Sequence, residues 1–157
     1  MSRFSQPLTQ LIQENLSILA TFGFSRPTLE GIRRARFQGE WKYLDKTLFL
    51  ISEQRAERAC LELATFLRLL DDEEDITGYL KENAAYSFGR VAKKGQPDET
   101  LFLRDLTNKI IHAHHVEWDF TRPGDPLIVC VSRAPERWLK AEINLIALAG
   151  FCGQLMS

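Results

Sequence analysis

A long amphipathic segment within residues 40–70 constrains the fold more than any other part of the sequence. Glutamate and arginine side chains fill one side of it, as at Glu53 and Arg58. The opposite side carries apolar residues at the three- and four-residue spacing of a single helix face. These apolar positions are Ala56, Cys60, Leu63, Leu67 and Leu70. The pattern predicts a long helix, with a break near Ser52, whose apolar face lies in the core of a helical bundle.

Further helices are expected on both sides of this segment. Pro7 suits the first turn of a helix whose apolar stripe continues to Leu19, and Phe22-Gly23-Phe24 is expected to end it. A second helix is expected to begin at Ser25-Arg26-Pro27. Pro135 suits the first turn of a last helix that is apolar over much of its circumference. A helix of that kind lies at the centre of a core or in a dimer interface.

The hydrophobic period changes near the end of the chain. Apolar and acidic residues alternate over 116–120, as in a half-buried strand, and Leu127–Val131 is expected to form a second strand. The segment AYSFGRVAKKGQPDE is predicted to be a loop. The predicted fold is therefore mainly α: a helical bundle of about five or six helices with one two-stranded β-hairpin before the last helix. It forms one domain over residues 1–157.

The stretch Leu101–His115 combines an apolar helix stripe with the only three histidines of the chain. Asn108 and His112 are four residues apart, so they share one face of a helix. Arg104 lies two turns from His112, roughly 12 Å along the helix axis. An imidazole exchanges a proton near neutral pH without much tuning. His112, Asn108 and Arg104 are therefore the candidate catalytic residues, and the alternative is a histidine that only bonds to Asn108.

The run Leu106-Thr107-Asn108-Lys109-Ile110-Ile111-His112-Ala113 resembles the core motif of HEPN-type helical domains. In that family the motif is Leu-Arg-Asn, three residues and then His, on a late helix of a small bundle. Many members are ribonucleases of toxin–antitoxin and antiviral systems whose Arg and His act together at a dimer interface, and others are non-catalytic binding modules. Here Asn108 and His112 match, whereas Thr107 replaces the motif arginine. The resemblance implies a dimer formed through the motif helix and a site that lacks its usual cation.

Another part of the sequence suggests contact with RNA. Positive charges alternate there with aromatic side chains that could stack on bases. The candidate binding residues are Arg33, Arg34, Arg36 and Lys42, and the aromatic residues are Phe37, Trp41 and Tyr43. Glu30, Glu40 and Asp45 dilute the charge, and a solvated helix with buried aromatic residues explains the same pattern.

No metal or cofactor site is predicted. His112 and His114 are about 200° apart on a helix, so they cannot share a metal ion while the helix persists. The acidic run Asp71–Asp75 lacks the glycine turn and the ligand spacing of a calcium loop. It is expected to be a solvated turn that places negative charge at the start of the next helix.

Composition narrows the setting of the protein. The net charge of -1 gives no global reason to expect nucleic acid or an anionic membrane as partner. Cys60, Cys130 and Cys152 are an odd number of widely spaced cysteines in apolar surroundings, as in a reduced cytoplasmic protein. No window approaches the ~20 apolar residues of a membrane span.

These observations favour a non-catalytic HEPN-like binding module in a bacterial defence or toxin–antitoxin setting, with a protein or RNA partner. One alternative is a metal-independent endoribonuclease that uses His112 with Arg104. Another is an immunity-type or other interaction protein unrelated to HEPN domains. A homodimer is expected, because the apolar last helix and the polar face around Asn108 and His112 gain more from a partner surface than from water.

Overall fold

A computed structural model describes residues 6–37, 39, 42–83 and 86–155. The elements, in chain order, are α1 (Gln6–Arg36), α2 (Lys42–Asp45), a π-helix (Lys46–Ile51), α3 (Ser52–Glu74), α4 (Ile76–Asn83), β1 (Gly89–Ala92), β2 (Glu99–Leu101), α5 (Leu103–Ile111), β3 (Ala113–Asp119), β4 (Leu127–Ser132), β5 (Lys140–Asn144) and α6 (Leu145–Leu155).

The predicted fold, a mainly α-helical bundle with one two-stranded hairpin, is wrong. Helices hold 63% of the structure, but 17% lies in a five-stranded antiparallel sheet. The strand order is β2-β1-β5-β4-β3, so the expected hairpin of β3 and β4 is only one edge of the sheet. A two-stranded hairpin alone is only marginally stable, and the three additional strands give the helices a surface to cover.

Strand β5 occupies a segment that was expected to be helical. Ala141 and Ile143 are fully buried, whereas Lys140, Glu142 and Asn144 alternate with them on the other face. This period of two belongs to a strand. Because β5 pairs with β4 on one side and β1 on the other, the backbone hydrogen bonds of both neighbours stabilise it. The helix that follows begins only at Leu145.

The predicted loop after α4 contains the hairpin of β1 and β2. Phe88 and Val91 are buried and anchor it, and the remaining residues are mainly polar. Gly89 has a φ of +147°, and a Cβ there would lie 1.9 Å from the carbonyl oxygen of Glu142 on β5. Glycine is therefore needed for the close approach of β1 to β5.

Helix α1 runs without interruption through the expected break at Phe22-Gly23-Phe24. Gly23 is buried, and a Cβ at this position would lie 2.3 Å from Cδ2 of Leu145 and 3.0 Å from the Trp118 ring. The glycine thus serves close packing rather than helix termination. Pro27 lies inside the helix. Such a proline removes one backbone hydrogen bond.

One face of the sheet packs on the helices. Ile128, Cys130, Ala141 and Ile143 of the central strands are fully buried there. They join one core with apolar residues from α1, α3, α5 and α6. The predicted stripe of α3 is confirmed, because Ala56, Cys60, Leu63, Leu67 and Leu70 are all buried. The chain does not break near Ser52, since Ile51 and Ser52 both have helical dihedral angles and only the helix type changes there from π to α. The other face of the sheet carries charged residues such as Glu117, Glu142 and Arg90, which share one row across β3, β5 and β1.

Candidate functional site

Arg104 lies in the first turns of α5 and is held by two carboxylates at the C-terminal end of α3. Its Nη1 donates to Oδ2 of Asp71 at 3.1 Å and to Oδ1 of Asp72 at 2.7 Å. The hydrogen bond that Arg104 donates to Asp72, followed by the one that it donates to Asp71, raises the pKa of Arg104. The cation that the ribonuclease alternative needs is therefore already engaged in an ion pair.

The buried partner in this contact is Asp71, whose side chain is 4% exposed. Its two oxygens also accept hydrogen bonds from the backbone N–H and the hydroxyl of Thr77, both at 2.7 Å. Asp71 thus fastens α4 and α5 to the end of α3. The acidic run was expected to be a solvated turn, but Asp71 to Glu74 form the last turn of α3, and no pattern in the sequence indicates that Asp71 is buried. The structure adds Asp71 and Thr77 to the polar groups around α5.

The side chains of Thr107 and Asn108, which follow Arg104 on α5, also have hydrogen-bond partners. Oδ1 of Asn108 accepts a hydrogen bond from Arg68 of α3. Thr107 is buried, and its hydroxyl donates to the carbonyl oxygen of Arg104 at 3.0 Å. Arg68 was not singled out in the sequence, because it lies on α3, forty residues before Asn108. Arg68, Asp71, Arg104 and Asn108 together form a polar seam between α3 and α5.

His112 does not join this seam. It is the residue that caps the C-terminus of α5, and it is exposed. The other two histidines leave the helix altogether: His114 is the extra residue of a β-bulge, and His115 lies in β3 with its Nε2 2.8 Å from Oε1 of Glu117. The predicted helix over 101–115 therefore ends early, and its histidines are separated. Within the described residues, no group of three or more His, Cys, Asp or Glu side chains could hold a metal ion.

The described cysteines offer no reactive thiolate. Cys60, Cys130 and Cys152 are free and buried. Burial raises the pKa of Cys130 and of Cys152 to about 12, and it raises the pKa of Cys60 as well. A thiolate is the nucleophilic form of cysteine, so these three residues are apolar packing groups at neutral pH.

The candidate RNA-binding residues are partly neutralised. Arg33 makes two hydrogen bonds of 2.6 Å to the carboxylate of Asp45, and Arg34 forms an ion pair with Glu30 at 3.1 Å. Arg36 is exposed at the C-terminal end of α1. Lys42 begins α2, but its side chain, like Trp41, lies outside the described residues. The structure thus places Arg33 and Arg34 in local ion pairs instead of combining them into one positive surface.

A different feature of the same region is more informative. The C-terminal part of α1, α2 and the π-helix form a helical projection, which we call the arm (residues 24–51). None of its described residues is buried, yet it carries large apolar side chains that are strongly exposed. They are Phe24 (44% exposed), Ile32 (44%), Tyr43 (76%), Leu50 (50%) and Ile51 (47%). The four consecutive apolar residues Leu48-Phe49-Leu50-Ile51 are a sequence feature that could have indicated this surface, but a run of this kind more often lies in a protein core.

A groove of about 370 Å³ lies where the arm joins the core. Its lining combines apolar side chains, including Ile18 and Leu29 of α1 and Leu48 of the π-helix, with several serine and threonine residues and with Arg55 of α3. A π-helix is wider than an α-helix and is frequent at functional sites. The groove could hold one or two apolar side chains of a partner next to a positive charge.

A cavity of about 460 Å³ lies between α4 and the start of α5, lined by Leu80, Tyr86, Phe102 and Arg104 among others. No helix in the described part of the chain has the length and apolar character needed to cross a membrane. Comparison of the chain with protein-family models, curated proteins and solved structures finds no match.

Proposed function

We propose that this protein is a non-catalytic interaction module whose arm binds an acidic partner protein. The observation that carries the proposal is the arm itself, an ordered helical projection with exposed large apolar side chains and no buried residue among those described. Single scattered apolar residues are normal on a protein surface, whereas five large ones exposed within one segment exceed this and typically mark an interaction site.

The charge of the arm argues for an acidic partner. Residues 24–51 contain six basic and three acidic residues, a net charge of +3, whereas the whole chain has a net charge of -1. The remaining residues therefore carry -4. Two positive arms would repel each other, while a segment with apolar and acidic side chains would match both the exposed apolar residues and the charge.

The groove at the base of the arm supplies a specific anchor point. Ile18, Leu29 and Leu48 offer apolar walls, and Arg55 is exposed at the rim without a partner among the described contacts. An amphipathic helix bound along the arm would insert an apolar residue here and direct a carboxylate at Arg55. Buried anchors of this kind dominate the binding energy of protein interfaces.

The alternatives receive less support. RNA would match the positive charge of the arm but not its exposed aliphatic side chains such as Ile32 and Leu50, and Arg33 and Arg34 are engaged by Asp45 and Glu30. RNA cleavage would need a cation beside His112, but Arg104 is engaged by Asp71 and Asp72. A role in bacterial defence or in a toxin–antitoxin pair stays a prediction.

The proposal includes a cytoplasmic location, in keeping with the three free, buried cysteines. It also includes self-association, although not through the surfaces expected from the sequence. Leu145, Leu148, Phe151 and Leu155 of α6 are buried in the core of the chain itself. Asn108 of α5 is engaged by Arg68. A homodimer therefore needs another surface.

The test is site-specific photo-crosslinking in cells. A photoreactive amino acid replaces Ile32 or Leu50 on the arm, and the matched control carries it at Gln96, which is exposed in the turn between β1 and β2. We expect both arm positions, but not the control, to crosslink to one protein, and peptide mass spectrometry to map the crosslinks to an acidic, amphipathic segment.

A second variant tests the charge argument. Leu50→Glu adds one negative charge to the arm and should abolish the crosslink from Ile32, whereas Gln96→Glu adds the same charge elsewhere and should leave it intact. Crosslinks to RNA, to a second copy of the chain or to no macromolecule would each overturn the proposed partner.

A further inference from the structure

Strand β3 leaves one side of its backbone without a partner strand. In the described sheet its only neighbour is β4. Natural proteins normally protect such an edge with charged side chains, above all lysine, or with proline, a bulge or a very short strand. β3 is seven residues long and contains neither lysine nor proline, and its charged side chains are the two carboxylates Glu117 and Asp119. Its bulge at His114 affects only the beginning, so a regular free edge extends over residues 115–119.

The side chains of this edge form a simple pattern. Val116 and Trp118 face the helices and pack against the core. His115, Glu117 and Asp119 alternate with them and therefore lie on the open face of the sheet. His115 and Glu117 are both about half exposed, and Nε2 of His115 lies 2.8 Å from Oε1 of Glu117 in the same strand, so a contact with a partner strand would replace this one. A strand that added to this edge would meet one imidazole and two carboxylates.

In one regular register this pattern brings no two carboxylates opposite each other. Two copies of the chain can be related by a two-fold axis perpendicular to the sheet, which keeps the helix-covered faces of both copies on the same side. Residues that lie opposite each other on the two β3 strands must then belong to the same face of the joined sheet. With the axis at Val116, His115 of each copy lies opposite Glu117 of the partner subunit. An axis at Glu117 or Trp118 brings carboxylates opposite each other, and an axis at His115 runs into the bulge. Like charges directly opposite each other are destabilising.

We propose that two copies of the chain pair antiparallel along β3 about a two-fold axis at Val116, which joins their sheets into one of ten strands. Backbone hydrogen bonds supply the attraction, and the two His115–Glu117 pairs set the register. This inference rests on the self-association included in the proposed function, and it names the surface. The arm is not part of this interface, so it stays available to another partner.

The test is a charge exchange followed by sedimentation equilibrium at neutral pH. Wild type should sediment at twice the 18.0 kDa of one chain. Glu117→Lys places lysine opposite His115 of the partner subunit, and His115→Glu places two carboxylates opposite each other. Each single variant should weaken the dimer by about tenfold in Kd, because two cross-strand pairs are lost or reversed. The double variant again places a hydrogen-bond donor opposite a carboxylate, so it should regain wild-type affinity within about threefold.

The matched control is Glu99→Lys, the same exchange at an exposed position on β2 at the opposite edge, and it should leave the Kd unchanged. Circular dichroism confirms that every variant is folded. A wild-type protein that stays monomeric up to about 100 µM, a Kd too weak for a functional dimer, would overturn self-association altogether. A dimer whose Kd is the same in all variants would overturn only pairing through β3. Neither result bears on the crosslinks of the arm.

Discussion

Replacement of Asp71 by alanine should destabilise the protein much more than replacement of its neighbour Asp72. Both carboxylates contact the same Nη1 of Arg104, but the side chain of Asp71 is 4% exposed and that of Asp72 is 53% exposed. Asp71 also accepts the N–H and the hydroxyl of Thr77. In Asp71→Ala these two donors lose a charged acceptor in a place that water reaches poorly.

The magnitude follows from those two contacts. A hydrogen bond to a charged group contributes roughly 1.5–3 kcal/mol. Two such bonds at the lower end, since Thr77 is half-buried, give about 3 kcal/mol. For a chain of this length that loss lowers Tm by about 6–12 °C. Asp72→Ala removes only a solvent-exposed ion pair, and such pairs contribute little.

Urea unfolding followed by circular dichroism measures both variants. We expect the midpoint of Asp71→Ala to fall clearly and that of Asp72→Ala to stay near wild type, with the same m-value. Equal destabilisation by the two variants would refute the reasoning, because the ion pair with Arg104, and not the buried acceptors of Thr77, would then hold α3, α4 and α5 together.

Two further predictions concern α1 and the motif helix. Gly23→Ala should cost about 1–3 kcal/mol in urea unfolding, since the new methyl group meets Leu145 at 2.3 Å; Gly31→Ala, with nothing within 4 Å in the same helix, should instead stabilise by about 0.5–1 kcal/mol. Purified protein should not cut labelled RNA in single-turnover assays, and His112→Ala should leave the assay unchanged. Cleavage by wild type that disappears in His112→Ala or Arg104→Ala, at unchanged helix content, would restore the ribonuclease alternative.

The helices with one clear apolar stripe were predictable from the sequence. The α3 stripe alone predicted the buried face, because its pattern extends over several turns and its local preference agrees with the tertiary contacts. Strand β4 was predictable for the same reason: its apolar run Leu127–Val131 is buried on both faces.

Strand β3 was also predicted, from the alternation over 116–120, whereas β1, β2 and β5 depend on contacts that were not recognised in the sequence. Lys140–Asn144 alternates with a period of two, but the apolar residues of α6 follow directly and merge with it into one apparently helical run. β1 has little apolar character of its own, and it exists because β5 offers a free edge on which Gly89 can approach closely. The glycine–proline signal in α1 was misleading, since Gly23 is required by Leu145 and Trp118.

The candidate site was predictable only as a set of positions. The sequence identified Arg104, Asn108 and His112 as neighbours on one helix, but their chemistry depends on what α3 places opposite them. Arg68 and Asp71 engage Asn108 and Arg104, and both lie more than thirty residues away in the chain. The exposed arm was missed for the opposite reason: its apolar residues have the pattern of a core helix, but none of its described residues is buried.

Helix α1 packs on the core in its first part and has no buried residue beyond Gly23. Its local stability should therefore decrease along its length of about 46 Å. Its N-terminal half is fixed by Ile12, Leu19 and Phe22, which are buried, whereas its C-terminal half crosses Pro27 and covers no core. Opening the last turns exposes little additional apolar surface, so it costs far less free energy than unfolding the core. Amide exchange should therefore be fast beyond Pro27 and slow before it, and a protein bound to the arm would extend the slow region to the end of the helix.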